Sequence, residues 1–89
     1  MTDATGVTAS ILAPSGLANN AGYKIGYLEA LKGAVEDDIT VGSAKTVVFF
    51  GIVSADGQTA DPNEVTGYSG NVISTKGATG KVQGILVYV

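Results

Sequence analysis

The most constraining feature of the sequence is the stretch Lys45 to Ser54, KTVVFFGIVS, in which six of ten residues are Val, Phe or Ile. Such a run predicts a β-strand, whose successive side chains point to opposite faces. The apolar side chains on the two predicted faces are Val47, Phe49 and Val53, and Val48, Phe50 and Ile52. With both faces apolar, this strand must lie between two layers, or between its own sheet and another molecule.

A second strand with two apolar faces is predicted from Lys81 to Val89. The side chains on its two faces are Val82, Leu86 and Tyr88, and Ile85, Val87 and Val89. We expect this strand to be held inside the sheet or paired with a neighbour, because an open apolar edge promotes aggregation.

Shorter segments complete the predicted set of strands: Val7 to Leu12, Tyr23 to Leu31, Ile39 to Val41, Val65 to Tyr68, and Val72 to Thr75. Only the second of these has a serious alternative, a short helix over Leu28 to Ala34, because Leu28, Leu31 and Val35 recur at helical spacing. Gly26 and Gly33 favour the strand, since each glycine costs a helix about 1 kcal/mol relative to alanine.

Turn-forming residues separate the strands. The acidic run Glu36 to Asp38 is predicted to be a solvated turn, and Gly42-Ser43 a second turn. Asp56-Gly57 and Asp61-Pro62-Asn63 predict a surface loop of about ten residues. Because Thr75 to Lys81 contains two glycines, it is interpreted as a hairpin connection.

These elements predict an all-β fold, a small antiparallel β-sandwich or barrel of about six or seven short strands. Residues 1–22, rich in Ala, Thr, Ser, Gly and Asn, are predicted to form an extended N-terminal arm or a short strand plus loop. The arm either frays as a terminus or lies across a neighbouring subunit. Residues 23–89 are predicted to be a single β domain.

Composition favours self-association. A chain of 89 residues has a modest core, and domains of this size commonly add disulfides, a metal or partner subunits. The sequence contains no cysteine and no histidine, so disulfides are impossible and a structural zinc site would have only oxygen ligands. Only 15% of residues are charged, against about 25% in typical soluble domains. We therefore expect a homo-oligomer.

Several function classes are disfavoured. The five lysines are scattered, arginine is absent and the net charge is −3, so nucleic-acid binding is not expected. No apolar run is long enough for a membrane helix, and the N-terminal residues lack the charged and apolar regions of an export signal, so we expect a soluble protein that is not exported. Without histidine or cysteine we predict no enzyme activity and no catalytic residues. The acidic sets Glu36 to Asp38 and Asp56, Asp61 and Glu64 lack an EF-hand spacing, so neither metal nor cofactor is expected.

The run from Lys45 to Val89, with KTVVFFGIVSADG, then SGNVIST around the glycine turn at Gly70, then GKVQGILVYV, resembles the C-terminal halves of small β-rich virion proteins of tailed bacteriophages. Some proteins of that group are head decoration, or cement, proteins. The resemblance implies a non-enzymatic capsid protein of the virion that stabilises the head by subunit contacts, with a trimer favoured. Its partners would be its own copies and the major capsid protein or another virion protein. A neck or tail location is the alternative within the same group.

The candidate interface residues lie in the apolar strands and the N-terminal arm. They are Val48, Phe50, Ile52, Ile85, Val87, Val89, Ile11 and Leu12. A rival hypothesis is a small β-module that binds a carbohydrate or a protein. In that case the candidate stacking residues are Tyr23, Tyr27, Tyr68 and Tyr88.

Overall fold

A computed structural model describes residues 6–9, 11, 22–42 and 44–89. Seven strands are present in these residues: β1 Val7–Ala9, β2 Lys24–Lys32, β3 Glu36–Val41, β4 Val47–Ala55, β5 Glu64–Ser69, β6 Val72–Lys76 and β7 Gly80–Tyr88. They form a four-stranded sheet in the order β1-β3-β6-β5 and a three-stranded sheet in the order β2-β7-β4. The two sheets pack face to face as a small β-sandwich.

The all-β prediction is confirmed, and of the two predicted architectures the structure is a sandwich, not a closed barrel. The strand prediction for Tyr23 to Leu31 is also confirmed, since β2 covers Lys24–Lys32 and the helical alternative is wrong. One strand pair departs from the antiparallel expectation, because β1 pairs with β3 in parallel, with Val7 opposite Ile39.

The core lies between the inner faces of the two sheets. Its fully buried members alternate along the strands, as the sequence pattern predicts for β7, where Val82 and Leu86 point inward. Gly84 lies between them, and a Cβ there would approach the carbonyl oxygen of Gly51 and the ring of Phe50. A glycine at this position therefore lets the Phe50 ring pack directly over the backbone of β7.

The two faces of β4 differ from the predicted sets because β4 carries two irregularities in its pairing with β7. Val47 is opposite Tyr88 and Phe49 is opposite Val87, which leaves Val48 as an extra residue. This β-bulge shifts the alternation, so that Val47 and Phe50 are both buried while Phe49 is exposed. A second shift leaves Val53 as an extra residue.

The prediction of a solvated turn at Glu36 to Asp38 is wrong. These residues begin β3, with Glu36 opposite Lys76 and Asp37 opposite Thr75, and Asp37 is buried. Consecutive acidic residues suggested solvent, but strand alternation places only the middle carboxylate inside, where backbone N–H groups bind it.

The predicted hairpin between Thr75 and Lys81 is also wrong. β6 belongs to the four-stranded sheet and β7 to the three-stranded sheet, so this connection crosses from one layer to the other. Gly77 lies in the crossing with a φ of 141°, and a Cβ there would collide with Pro62 and Asn63. A crossing that packs so closely on the preceding loop requires glycine.

The described part of the predicted N-terminal arm packs on the domain itself. β1 extends the four-stranded sheet, and Ile11 then makes an isolated antiparallel bridge with Leu28 of β2 in the other sheet. The chain thus connects the two sheets along this side of the sandwich. The other predicted arm residues, Leu12 among them, lie outside the described residues.

Candidate interaction surface

The outer face of the three-stranded sheet is apolar over much of its area. The outward side chains form two adjoining rows that run across the strands. One row contains Ile25, Val87 and Phe49, and the other contains Tyr27 and Ile85. With Val53, which is exposed at the second bulge, these residues form what we call the apolar face: Ile25, Tyr27, Phe49, Val53, Ile85 and Val87.

Exposure on the apolar face is high for such large side chains. Phe49 is 52% exposed, Ile85 47% and Val53 62%. The Phe49 ring lies over Gly51, where a Cβ would be only 2.9 Å from the ring. The ring thus lies against the sheet and adds its flat side to this surface.

A polar cluster lies next to the apolar face on the same side of the sheet. Gln83 donates a hydrogen bond from Nε2 to Glu29, and its Oε1 accepts one from the Tyr27 hydroxyl at 3.3 Å. Lys81 Nζ lies 3.5 Å from a Glu29 carboxylate oxygen. The apolar face therefore has a polar border at this end, of the kind found at the rim of a protein interface.

The outer face of the four-stranded sheet is different. Along β3 and β6 the outward positions alternate with buried ones and are occupied by Glu36, Asp38, Thr40, Ser74 and Lys76, with Val72 at one end. Ser74 donates a hydrogen bond from Oγ to Asp38 Oδ1 at 3.0 Å. This sheet shows the pattern typical of a face in contact with water.

A shallow open groove of about 520 Å³ lies between β4 and β5, the edge strands of the two sheets on one side of the sandwich. Its lining includes Phe49, Ile52, Val65 and Tyr68. The Tyr68 hydroxyl accepts a hydrogen bond from the backbone N–H of Phe50 at 2.8 Å. This bond satisfies a backbone donor that an edge strand would otherwise offer to a neighbour.

At one end of the core lies a buried polar cluster. Lys32, at the end of β2, is 3% exposed, and its Nζ donates to Val35 O at 3.1 Å, Asn63 Oδ1 at 2.5 Å and Gly77 O at 3.3 Å. Burial lowers the pKa of Lys32, and the negative charges of Asp37 and Asp61 oppose that shift.

Asp37 organises the β2–β3 turn beside this cluster. Its Oδ1 accepts hydrogen bonds from the backbone N–H groups of Gly6 at 2.8 Å and Asp38 at 2.9 Å, and its Oδ2 from those of Gly33 at 2.9 Å and Ala34 at 3.2 Å. A carboxylate with four such donors is held in one orientation.

The structure divides the predicted interface residues among several places. Ile85, Val87, Val89 and Val48 are outward or exposed on the three-stranded sheet or its end. Phe50 is in the core, Ile52 and Ile11 pack against it, and Leu12 lies outside the described residues. The predicted interface set lacked Ile25, Tyr27 and Phe49. Alternation along β2 contained a signal for Ile25 and Tyr27, whereas the exposure of Phe49 depends on the bulge at Val48.

The tyrosines do not gather into one stacking surface. Tyr88 is in the core, Tyr68 is part of the groove, and Tyr27 is on the apolar face, on the other sheet from Tyr68. Tyr23 is half-buried and directly precedes β2. In the described part of the chain no three acidic side chains come together in a way that could hold a metal ion. Asp56, from the second acidic set, accepts a hydrogen bond from the Lys81 backbone N–H at 3.0 Å.

Comparison of the chain with protein-family models, with curated proteins and with solved structures finds no match. Within the described residues there is no helix with the length and apolar character needed to cross a membrane. The assignment of a function therefore depends on the surfaces described above.

Proposed function

We propose that this protein is a non-enzymatic structural protein that associates with copies of itself through the apolar face, in the setting of a tailed-phage virion. The observation that carries the proposal is the contrast between the two outer faces, one bearing exposed Phe, Ile and Val side chains and the other mainly Asp, Thr, Ser and Lys. A free monomer gains nothing from exposing the first surface.

The size of the apolar face favours a ring or lattice over a simple pair. The whole outer face of the three-stranded sheet, of which the apolar face is a part, has a flat area of about 400 Å², from three strands of nine residues with a rise of about 3.3 Å per residue and a strand spacing of about 4.8 Å. Stable complexes bury about 800 Å² per partner. One such contact is therefore weak, and a durable assembly needs several contacts that act together, as subunits of a closed ring or a capsid surface have.

A matched pair of substitutions tests association. Ile85→Asp places a charge at the centre of the apolar face, and Thr40→Asp places the same charge on the outer face of the other sheet. Light scattering over a concentration series should show that the wild type and Thr40→Asp gain mass with concentration while Ile85→Asp remains monomeric. Equal behaviour of the two variants, both folded by circular dichroism, would refute the apolar face as the contact.

The virion setting has its own test. If the proposal holds, peptides of this chain are present, in many copies per particle, in purified particles of a tailed phage whose genome encodes it. Mass spectrometry that detects the chain only in the infected-cell lysate, and not in banded particles, contradicts a structural role in the virion while leaving self-association open.

The groove between β4 and β5 favours a second candidate function, a module that binds a protein or carbohydrate ligand. Phe49 and Tyr68 are both exposed at this groove, and an aromatic pair of this kind can hold an apolar or sugar ring. Tyr68→Ala would then abolish ligand-dependent stabilisation in a thermal-shift series of oligosaccharides. If no oligosaccharide of the series changes the melting temperature of the wild-type protein, carbohydrate binding at this groove is refuted.

A further inference from the structure

The described residues contain four buried polar or charged side chains, and all four lie at one end of the sandwich: Lys32, Asp37, Asn63 and Thr75. Thr75 Oγ1 donates to the Asp37 carbonyl oxygen at 2.9 Å, which joins the pair on β3 and β6. Lys32 and Asn63 form the other pair, and they connect opposite layers of the sandwich. Burying a charged lysine costs free energy of desolvation, so a buried lysine beside an amide needs a physical explanation.

We propose that Lys32 and Asn63 are the two halves of an intramolecular amide cross-link, formed by attack of the lysine amine on the asparagine side-chain amide. Nζ lies 2.5 Å from Oδ1, shorter than an ordinary hydrogen bond. The carbonyl carbon is one bond of about 1.2 Å beyond that oxygen, so Nζ and Cγ are at most about 3.7 Å apart. This separation approaches that of a near-attack geometry.

Both partners are held in place. Asn63 Nδ2 donates to Ala78 O at 3.1 Å, and the Asn63 backbone N–H donates to Gln58 Oε1 at 3.1 Å. Gly77 closes against the asparagine from the other side, where any Cβ would lie 2.8 Å from Asn63 Cγ. The amide is therefore fixed in orientation, and the closely packed glycine leaves little room for water beside it.

The local environment favours the reactive form of the amine. Burial lowers the pKa of Lys32, which increases the fraction of neutral amine, the nucleophilic species. The carbonyl oxygens of Val35 and Gly77 accept N–H bonds from Nζ and orient it. The negative charges of Asp37 and Asp61 act in the opposite direction and favour the ammonium form, but the effect of burial is larger and the pKa is lowered overall.

The reaction balances without any added reagent. The Nζ–Cγ bond forms, the Cγ–Nδ2 bond breaks, and Nδ2 leaves as ammonia with the proton that Nζ gives up. Neither partner is oxidised or reduced. The product is a secondary amide whose remaining N–H can still donate to one of the two carbonyl oxygens that now accept from Lys32.

Such a bond would connect the end of β2 in one sheet to the residue that precedes β5 in the other. The closed loop spans residues 32–63 and lowers the conformational entropy of the unfolded chain, as a disulfide does. A sequence without cysteine has no disulfide to perform this role, and small domains commonly need a covalent or metal supplement to their core.

The decisive experiment is the intact mass of the purified full chain under denaturing conditions. We expect the main species to be lighter than the sequence mass by one molecule of ammonia. Trypsin should leave Lys32 uncleaved and yield a branched peptide that joins residues 25–45 to residues 46–76. A chain at its full sequence mass, with normal cleavage after Lys32, overturns the proposal and leaves a hydrogen bond only.

Variants locate the modification. Lys32→Arg removes the nucleophile and should restore the full calculated mass, as should Asn63→Ala, which removes the amide that is attacked. The matched control is Lys81→Arg, at an exposed lysine, which should keep the loss of ammonia. If Lys32→Arg is still lighter than its calculated mass by one ammonia, the cross-link is not at this site. The mass of the wild type tests the proposal by itself, so the result does not depend on whether the variants fold.

Discussion

The two sheets of this protein share one core but meet their surroundings differently. The four-stranded sheet presents Asp38, Thr40 and Ser74 outward, whereas the three-stranded sheet presents Ile25, Phe49 and Ile85. Both sheets contribute fully buried side chains to the core, Leu28 and Leu86 from one and Ile39 and Ile73 from the other, and no residue of the apolar face is among the buried core residues. On the proposal made above, the outer apolar residues serve contacts between copies of the chain and not the stability of the monomer.

The sharpest test of this comparison lies within one strand. Leu86 points into the core and Ile85, its neighbour on β7, points out of it. Leu86→Ala should lower the free energy of unfolding by about 3 kcal/mol, because it removes buried methyl groups and leaves a cavity. Ile85→Ala should lower the free energy of unfolding of the monomer by less than about 1 kcal/mol. Urea denaturation of dilute samples measures both, and similar losses would contradict the assignment of faces.

The next expected effect is on association. Phe49→Ala removes the largest exposed side chain of the apolar face and should weaken self-association by about tenfold or more, as truncation of a central aromatic residue does. Sedimentation equilibrium measures the change, and Ser74→Ala on the other sheet is the control. An equal effect of the two substitutions would show that the contact is not on the apolar face.

A smaller effect is expected where the two sheets approach each other at β4 and β5. Tyr68→Phe removes the hydroxyl that accepts the Phe50 backbone N–H and leaves the ring in place. The loss should be about 1 kcal/mol of unfolding free energy, the usual value for one hydrogen bond. If the variant has the same melting temperature as the wild type, this hydrogen bond contributes nothing to holding the β4 and β5 edges together.

The smallest effect is expected at the polar border of the apolar face. The Lys81–Glu29 ion pair is partly exposed, so Lys81→Gln should change the free energy of unfolding by less than about 0.5 kcal/mol. Added salt should have little further effect in the variant. A loss of 2 kcal/mol or more in denaturant titration would mean that this cluster is structural and not a solvated rim.

Strand alternation predicted much of this fold from sequence. Alternation identified the inner face of β7. If the predicted β2 strand is extended by one residue, alternation also places Lys32 inside, on the same face as Leu28 and Ala30. The bulge at Val48 had no comparable signal, since it depends on the pairing register with β7. Asn63 lies in a loop rich in turn residues, and only its packing against Gly77 and Lys32 reveals that it is buried.

The layer crossing between β6 and β7 shows a second limit of sequence reasoning. A glycine-containing connection of this length suits a hairpin equally well, and local turn chemistry does not specify which sheet the next strand joins. The acidic start of β3 differs from the predicted solvated turn for a related reason. Asp37 is buried because four backbone donors surround it, among them Gly6, which lies 31 residues earlier in the chain.

Methyl-resolved NMR over a dilution series shows directly whether the apolar face is the surface through which copies of the chain associate. The methyl signals of Ile25, Ile85 and Val87 should shift as concentration rises, because these side chains enter a contact between copies. The methyl signals of Thr40 and Val72, on the outer face of the other sheet, should not move. Shifts confined to Thr40 and Val72, or no concentration dependence at any methyl group, would contradict the apolar face as the association surface.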